Sequence, residues 1–308
     1  MRRRVLWVAA AMGRLDHLGE SSIIGAGGRF LLITLVIIGP GKLGLSLARQ
    51  AVASGLCVRL VGRDRGHAEA RLARAVERWP EALDGCRRIH CCADIPSAIE
   101  GAGIVLEALP EDIDLKAQAW ATVDGLIGSD ALCLTGTSSL SIARIRQRAG
   151  MKGWLQGFHA FVPVHRMKVV ELISPAGVPE PLRQRACDLG ERLGLRVVPV
   201  ADQAGFAASR MAMAQGLEAM RLLESGAAKA EDIDALLVLG YGHPVGPLEL
   251  SDRVGLDLRL AIARELYAET GDPRFRPPRI LEDLVGSGRT GRSAGQGFYA
   301  WDGKGNRQ

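Results

Sequence analysis

The sequence contains few cysteines, and their spacing argues against a metal-binding protein. The chain of 308 residues has six cysteines, and no two of them have the paired spacing of a metal-ligand motif. We therefore expect no metal site. The adjacent Cys91 and Cys92 are predicted to be a buried pair within a strand. Unpaired thiols of this kind suit the reducing cytoplasm.

The sequence also lacks long apolar runs and is poor in lysine. No apolar run approaches the length that spans a bilayer, so we expect no membrane helix and no membrane partner. The net charge of +5 comes mostly from arginine, and the basic run Arg2-Arg3-Arg4 is short. We attribute the excess charge to codon bias and a local phosphate site, and expect no nucleic-acid partner.

The beginning of the chain, residues 1–31, does not resemble part of a folded domain. Arg2 to Arg4 and the apolar residues that follow, up to Met12, resemble a short signal peptide. However, the next residues are polar, and no clear cleavage site precedes the first strand near Leu32. We therefore expect residues 1–31 to be a disordered extension or the result of a mis-assigned start codon.

The most informative motif is a glycine-rich turn between an apolar β-branched run and a helix. It has the pattern G-x-G-x-x-G, and a second strand follows the helix. In dinucleotide-binding folds the first glycine permits a tight turn, the second leaves room for a pyrophosphate, and the third lets helix and strand pack closely. The helix N-terminus then faces the anion. The residues predicted to bind a dinucleotide here are Gly39, Gly41, Lys42, Leu43 and Gly44.

The tip of the second strand lacks the carboxylate with which an NAD site holds the ribose 2′-hydroxyl. Position 62 is glycine, and Arg63 follows it. A guanidinium without that carboxylate suits a 2′-phosphate, so the pattern predicts a preference for NADP(H), with Arg65 and His67 as further sources of positive charge. In the alternative interpretation, Asp64 replaces the missing carboxylate, Arg63 is merely solvated, and NAD(H) is the cofactor.

Strands and helices alternate along the chain to about residue 201, and helices alone follow. Alternation of this kind predicts an α/β fold with a Rossmann-type, doubly wound and mostly parallel sheet. We therefore expect a dinucleotide-binding domain over residues 32–201 and an all-α domain over residues 202–308. Chemistry is expected at the ends of the strands, where open α/β sheets place their ligands.

A histidine and a glutamate form a candidate acid/base pair. Hydride transfer from an alcohol needs a base for the hydroxyl proton, and histidine suits this role because its ordinary pKa lies near neutrality. His159 is at the exit of a strand, and Glu171 lies at the end of the adjacent apolar run, where a carboxylate is otherwise out of place. A glutamate beside histidine fixes its tautomer and stabilises its protonated form. The alternative is a histidine that only stabilises the core.

These motifs occur in the order and spacing of the L-3-hydroxyacyl-CoA dehydrogenase family, which the chain resembles over roughly residues 32–301. The stretches that carry the resemblance are 107–116, 137–142, 157–171, 205–206, 231–234, 242–247, 255–257 and 295–299. The resemblance implies a helical domain that serves substrate binding and dimerisation, and hence a homodimer. It also implies a place in fatty acid metabolism.

The resemblance further implies roles for individual residues. Ser138 matches the position that contacts the substrate hydroxyl, although a serine here can also be a helix N-cap. Glu111 and Lys116 match positions beside the cofactor, and ordinary surface charge is the alternative for both. His165 and His243 are expected to be structural.

The chain departs from the family at several positions. Gly136, Val162 and Ser209 replace asparagines, and Ser293 replaces a lysine that approaches the cofactor. The family has a helical hairpin that helps to hold coenzyme A, but the corresponding segment, residues 64–89, is long enough for about one helix. The usual substrate is therefore in doubt, whereas the acid/base pair is retained.

Taken together, the sequence predicts an oxidoreductase that transfers a hydride between NADP(H) and a 3-hydroxyacyl or 3-oxoacyl substrate. The carrier of this acyl group is coenzyme A or a carrier protein. One alternative is a dehydrogenase of a free polar hydroxy acid. The other is a non-catalytic NADP(H)-binding protein, against which the retention of His159 and Glu171 argues.

Overall fold

The structure is a computed structural model that describes residues 24–25, 28–29, 33–79, 88–128 and 130–308. The chain forms two compact units, of which the first ends at Asp202 and the second comprises Gln203–Gln308. Most of the predicted extension, residues 1–31, lies outside the described residues. Within it, the two-residue strands β1 (Ile24–Gly25) and β2 (Gly28–Arg29) pair antiparallel.

The first unit is built on an eight-stranded sheet. Its strands are β3 (Thr34–Ile38), β4 (Cys57–Val61), β5 (Ile89–Cys92), β6 (Ile104–Glu107), β7 (Leu132–Thr135), β8 (Leu155–Ala160), β9 (Val169–Ser174) and β10 (Arg196–Ala201). Their order is β10-β9-β8-β7-β6-β3-β4-β5, so the chain changes direction across the sheet between β3 and β6. Open α/β sheets bind their ligands at such a switch point, beyond the carboxyl ends of the strands.

Helices connect these strands and flank the sheet, which confirms the predicted Rossmann-type fold. They are α1 (Lys42–Ala53), α2 (Arg65–Val76), α3 (Ile95–Ile99), α4 (Ile113–Asp124), α5 (Ile142–Ala149), α6 (Val164–Met167) and α7 (Glu180–Arg192). Helix α2 is the helix expected between residues 64 and 89. Residues 80–87 of that segment lie outside the described residues.

The last two strands of the sheet run against the other six. Strand β8 pairs antiparallel with β9, and β10 pairs parallel with β9. A parallel pairing needs a crossover connection of about a dozen residues or more. The connection between β8 and β9 spans only residues 161–168, so the chain turns back and the neighbouring strand is reversed.

Strand β5 contains the adjacent Cys91 and Cys92. Both lie in a strand as predicted, but the expectation that they are buried is wrong, since each is half-exposed. The physical reason is that β5 is one of the two edge strands of this sheet. Partial burial still raises the pKa of the Cys91 thiol to about 12. Among the described residues, no cluster of three or more His, Cys, Asp or Glu side chains is arranged to hold a metal ion.

The second unit consists of helices and short turns. Its α-helices are α8 (Ala208–Glu224), α9 (Ala230–Ala235), α10 (Pro247–Val254), α11 (Leu256–Thr270) and α12 (Arg279–Gly286). A π-helical turn, Leu236–Gly240, follows α9. The helices enclose a separate apolar core that includes Leu217, Leu256 and Leu281, each fully buried. Within the described parts of the chain, no helix has both the length and the apolar character required to cross a membrane.

Candidate active site

The glycine-rich turn joins β3 to α1 at the switch point of the sheet. Gly39 has a φ of +112°, and a Cβ there would lie 2.5 Å from the carbonyl oxygen of Ala108, so a side chain is excluded. A Cβ on Gly44 would lie 2.0 Å from the Gly39 carbonyl oxygen. The Gly39 amide donates to the Val61 carbonyl at 2.9 Å. The turn is therefore held between the ends of β4 and β6.

Gly41 differs from these two glycines because no neighbouring atom of the protein excludes a side chain at this position. The nearest atom to a Cβ at this position would be the Ala108 oxygen, at 3.8 Å. Helix α1 begins at the next residue, Lys42, without a side-chain cap and without an acidic residue in its first turn. Open space above the N–H groups of a helix N-terminus fits a pyrophosphate. The turn thus fits a nicotinamide dinucleotide, and the exposed Lys42 and half-buried Leu43 stand beside it.

At the tip of β4, the residues around Gly62 leave no space for a carboxylate side chain at that position. A Cβ on Gly62 would lie 2.8 Å from His67 Nδ1 and 3.1 Å from the backbone nitrogen of Ala68. The imidazole of His67 thus fills the place of a larger residue. Arg63, the next residue, is exposed.

The charged residues that follow are engaged with helix α2. Asp64 is its N-cap, and its Oδ1 accepts a hydrogen bond from the His67 backbone at 2.7 Å. Arg65, expected to add positive charge toward the cofactor, instead pairs with Glu69, with 2.8 Å between Nε and Oε1. Of the two residues proposed as additional cations, His67 lies against the tip of β4, and Arg65 pairs along the helix.

A fully buried ion pair supports the exit of β6. Lys116 Nζ lies 2.8 Å from Glu107 Oε1, and neither side chain is exposed. The same ammonium donates to the Leu109 carbonyl at 3.1 Å, and Thr135 Oγ1 donates to Glu107 Oε2 at 2.6 Å. The surface-charge interpretation of Lys116 is wrong, because the helix buries it completely. Its burial also leaves no surface for direct contact with a cofactor.

Glu111 organises the loop that follows β7. Its Oε1 accepts hydrogen bonds from the Thr137 hydroxyl at 2.7 Å and from the backbone of Ser138 and Ser139 at 2.9 and 2.8 Å. Its Oε2 lies 3.6 Å from Lys116 Nζ. Burial raises the pKa of this carboxyl, but the ammonium and the hydrogen bonds outweigh it and lower the pKa below its ordinary value. Glu111 is therefore ionised at neutral pH and holds the loop in place.

Ser138 lies in this loop, and its hydroxyl is 3.2 Å from Glu111 Oε1. The interpretation of Ser138 as a helix N-cap is wrong. Helix α5 is capped by Ser141, whose hydroxyl accepts from the Arg144 backbone. The cap lies three residues later because the loop after β7 continues past Ser138 before the helix begins. Contact between Ser138 and a substrate stays a prediction.

His159 and Glu171 stand directly opposite one another on the antiparallel strands β8 and β9. Opposite residues share a face of the sheet, so the side chains meet, and His159 Nδ1 lies 2.7 Å from Glu171 Oε2. A carboxylate only accepts, so Nδ1 carries a proton and Nε2 is the basic nitrogen of the neutral ring. Their side chains are 12% and 4% exposed. Glu171 lies within β9 rather than at the end of an apolar run, because β9 extends to Ser174.

Strand pairing gathers these groups at one edge of the sheet. Thr135 of β7 pairs with Glu107 of β6 and with Gly157 of β8, in parallel register. Ser138 therefore follows the carboxyl end of β7, and His159 is the penultimate residue of the neighbouring strand β8. The exit of β6 is also the element against which the glycine-rich turn packs. The acid/base pair, the serine loop and the dinucleotide turn thus share the carboxyl edge of the parallel strands.

Comparison with known proteins identifies the family to which this arrangement belongs. The model of the 3-hydroxyacyl-CoA dehydrogenase NAD binding domain matches residues 34–203, and the C-terminal domain model of the same family matches residues 205–301. The chain belongs to the 3-hydroxyacyl-CoA dehydrogenase family. It is accordingly an oxidoreductase that uses a nicotinamide dinucleotide.

Individual relatives support the same assignment. "Probable 3-hydroxybutyryl-CoA dehydrogenase" of Bacillus subtilis is 32% identical over 281 residues, which cover 88% of this chain and 98% of that protein. A "Probable 3-hydroxyacyl-CoA dehydrogenase" of Caenorhabditis elegans is 32% identical over 284 residues, covering 87% and 92%. The solved (S)-3-hydroxybutyryl-CoA dehydrogenase of Ralstonia eutropha is 30% identical, with a TM-score of 0.81 and coverage of 88% and 100%.

Two of the departures that the resemblance implies lie at positions that the structure describes. A Cβ on Gly136 would lie 2.6 Å from Leu43 Cδ2, so Leu43 occupies the space that an asparagine side chain needs. Val162, another replaced asparagine, is 46% exposed in the connection after β8. Neither residue has the side-chain amide of an asparagine, so the hydrogen bonds of that group are absent at both positions.

Sequence reasoning missed two contributors to the site of this dehydrogenase. Glu107 joins β6, β7 and α4 through its buried hydrogen bonds, and a carboxylate that ends an apolar strand was the available signal. Arg49 of α1 lies 3.0 Å from the ring nitrogens of His165, and the Val164 amide donates to Ser46 Oγ at 2.8 Å. Helix α1 is thereby attached to the connection that follows β8. No local pattern marks such a long-range contact.

Proposed function

We propose that the protein is an NADP(H)-preferring dehydrogenase that interconverts 3-hydroxyacyl and 3-oxoacyl groups carried as thioesters. The observation that carries this proposal is the largely buried His159–Glu171 pair on the same sheet edge as the dinucleotide turn. Family membership supports the substrate class, because relatives named in the comparisons are 3-hydroxyacyl-CoA and 3-hydroxybutyryl-CoA dehydrogenases.

In the proposed chemistry, the proton of the substrate hydroxyl moves to and from His159 Nε2. A bound nicotinamide supplies the hydride acceptor or donor. His159 Nε2 takes the hydroxyl proton during oxidation and returns it to the carbonyl oxygen during reduction. Glu171 positions the ring through Nδ1 and stabilises the imidazolium. Ser138, whose hydroxyl donates to Glu111 in this structure, would turn that one O–H toward the same substrate oxygen when substrate binds.

The preference for NADP(H) rests on the tip of β4. The place of the usual carboxylate is Gly62, the ring of His67 fills the adjoining space, and Asp64 caps α2. Arg63 is left exposed at this tip and suits a 2′-phosphate. Arg63→Ala should weaken NADPH about ten- to a hundredfold with little effect on NADH, because a charge-assisted hydrogen bond is worth about 1.5–3 kcal/mol. Equal affinity of the unaltered protein for the two cofactors would contradict the preference.

A direct test of the chemistry is the substitution His159→Gln. Turnover should fall at least about a hundredfold, whereas NADPH affinity, followed by fluorescence titration, should not change. Glu171→Gln should have a smaller but still large effect. His90→Gln serves as the matched control, since His90 is an exposed residue of edge strand β5. Near-parental turnover in His159→Gln would remove this residue from the mechanism.

The proposal also concerns the carrier of the acyl group, which is coenzyme A or a carrier protein. The loss of amide donors at Gly136 and Val162, together with the short segment 64–89, favours weak use of free acyl-CoA. Each lost buried hydrogen bond costs about 0.5–1.5 kcal/mol. Acetoacetyl-CoA, a carrier-protein ketoester and free hydroxy acids should be compared with both cofactors. A kcat/KM on acetoacetyl-CoA above about 10⁶ M⁻¹s⁻¹ would show that these departures do not matter.

We also propose that the protein is a homodimer joined through its helical unit. The π-helical turn and the residue after it expose three large apolar side chains, with Leu236, Leu239 and Tyr241 being 64%, 84% and 80% exposed. Several large apolar side chains exposed within one short segment are typical of an interaction site. Light scattering that shows only a monomer at micromolar concentration would contradict the proposal.

A further inference from the structure

One arginine of helix α2 reaches the glycine-rich turn. Arg71 Nε donates a hydrogen bond to the Pro40 carbonyl at 3.1 Å, although the two residues are 31 positions apart. Pro40 lies between Gly39 and Gly41. The guanidinium of Arg71 therefore stands beside the turn whose open face fits a pyrophosphate.

The same turn is attached to the tip of β4. The Gly39 amide donates to Val61, and Gly62 and Arg63 are the residues that follow Val61. In dinucleotide-binding folds the pyrophosphate lies at the helix N-terminus, and the tip of the second strand contacts the ribose hydroxyls. The adenosine ribose of a bound dinucleotide would therefore lie at this junction. Arg63 lies in the short connection after β4 at this junction, and Arg71 reaches the turn from helix α2.

The ring of His67 accounts for the shape of this junction. His67 Nδ1 is buried without a hydrogen-bond partner, next to the position that a Cβ on Gly62 would occupy. The ring therefore acts here by filling space. It excludes the carboxylate that would bind a ribose 2′-hydroxyl and would repel a 2′-phosphate.

The acidic residues nearest to the junction are already engaged. Asp64 Oδ1 accepts from the backbone of α2, and Glu69 is paired with Arg65. Arg71 donates one N–H to Pro40 and has further guanidinium N–H donors, since an arginine side chain has five of them. A fixed guanidinium of this kind is suited to a phosphate.

We infer that Arg71 is a second phosphate-binding residue, which contacts the 2′-phosphate of the cofactor together with Arg63 and so helps to determine cofactor choice. This inference rests on the proposed preference for NADP(H). It adds a cation that the motif at the tip of β4 does not contain. In this inference the contact between Arg71 and Pro40 supports the turn and also orients the guanidinium toward the ribose of the cofactor.

The test separates phosphate binding from support of the turn. Calorimetric titration of the full chain would use adenosine 2′,5′-bisphosphate and adenosine 5′-monophosphate, which differ only in the 2′-phosphate. Arg71→Gln should weaken the bisphosphate about tenfold or more, because a charge-assisted hydrogen bond is lost, and leave the monophosphate unchanged. Arg74→Gln is the matched control, since Arg74 is an exposed arginine of the same helix. It should change neither affinity.

Each other outcome overturns the inference in a recognisable way. If Arg71→Gln weakens both nucleotides equally, the residue only supports the turn through Pro40. If it weakens neither, Arg71 has no role in binding. A parental protein that binds the two nucleotides equally would contradict the NADP(H) preference itself, and the role of Arg71 with it. A parental protein that favours the bisphosphate, combined with an indifferent Arg71→Gln variant, would contradict the Arg71 inference alone.

Discussion

Replacement of Lys116 by methionine should strongly destabilise the dinucleotide-binding unit. Lys116 Nζ lies 2.8 Å from Glu107 Oε1, 3.1 Å from the Leu109 carbonyl and 3.6 Å from Glu111 Oε2. Methionine is an unbranched side chain that fills irregular space well, so Lys116→Met removes the charge and its donors without a large cavity. Glu107 is then an unpaired charge without access to water.

The size of the effect follows from the burial of the pair. Removal of one partner from a buried ion pair costs about 3–5 kcal/mol of unfolding free energy. Glu107 keeps its hydrogen bonds from the Leu109 amide and the Thr135 hydroxyl, so we expect the lower end of this range, about 3 kcal/mol.

Urea unfolding near neutral pH, followed by tryptophan fluorescence, measures this change. Trp120 is fully buried on the same helix as Lys116 and reports on its surroundings. Arg65→Met is the matched control because the Arg65–Glu69 pair has the same 2.8 Å separation, with side chains 58% and 37% exposed. Surface pairs contribute about 0–1 kcal/mol.

Two results decide the interpretation. The double variant Glu107→Gln, Lys116→Met should recover much of the lost free energy, since no buried charge remains unpaired. If Lys116→Met alone stays within about 1 kcal/mol of the parental protein, as a surface pair would, the reasoning is refuted. That result would mean that Glu107 does not carry an uncompensated buried charge in the variant.

Three further predictions follow from the same unit. Gly44→Ala should lower the melting temperature because its Cβ would lie 2.0 Å from the Gly39 oxygen, whereas Gly41→Ala should leave it unchanged and weaken only dinucleotide binding in a fluorescence titration. The pKa of Glu111 is lowered in the folded protein, so its ionised form stabilises the fold above the ordinary glutamate pKa of 4.5, and this stability is lost as the pH falls through the pKa of the folded state. The melting temperature of Glu111→Gln should therefore fall less steeply with pH below pH 4.5 than that of the parental protein. An equally steep fall in the two proteins would contradict this. Burial raises the pKa of Cys133 to about 12, so iodoacetamide near neutral pH should label it, as read by mass spectrometry, only after unfolding.

Much of the fold can be read from the sequence because its signals are local. The glycine pattern, the apolar strands and the proline-marked starts of α10 and α12 each act on the backbone of their own segment. The alternation of strands and helices then predicts a mostly parallel sheet flanked by helices, and the glycine pattern favours the doubly wound form. The family motifs are also local stretches, which is why the resemblance is visible without coordinates.

The boundaries of individual elements and the burial of individual residues are harder to predict from the sequence. The N-cap of α5 is Ser141 rather than Ser138, since both serines have the same capping chemistry and the length of the loop decides between them. Cys91 and Cys92 are half-exposed because β5 is an edge strand, and position within a sheet depends on strand order. Lys116 is buried because helix α4 packs its lysine against Glu107, a contact that charge alone does not predict.

The sequence by itself determined the type of fold, the dinucleotide turn and the residue types available for acid/base chemistry, since these depend on short segments. Only the tertiary structure decided how those residues combine. It reversed β9, so that Glu171 stands opposite His159, and it brought Arg71 to the turn at Pro40. Such contacts join segments that are distant along the chain, and their formation depends on the packing of the whole sheet and its helices.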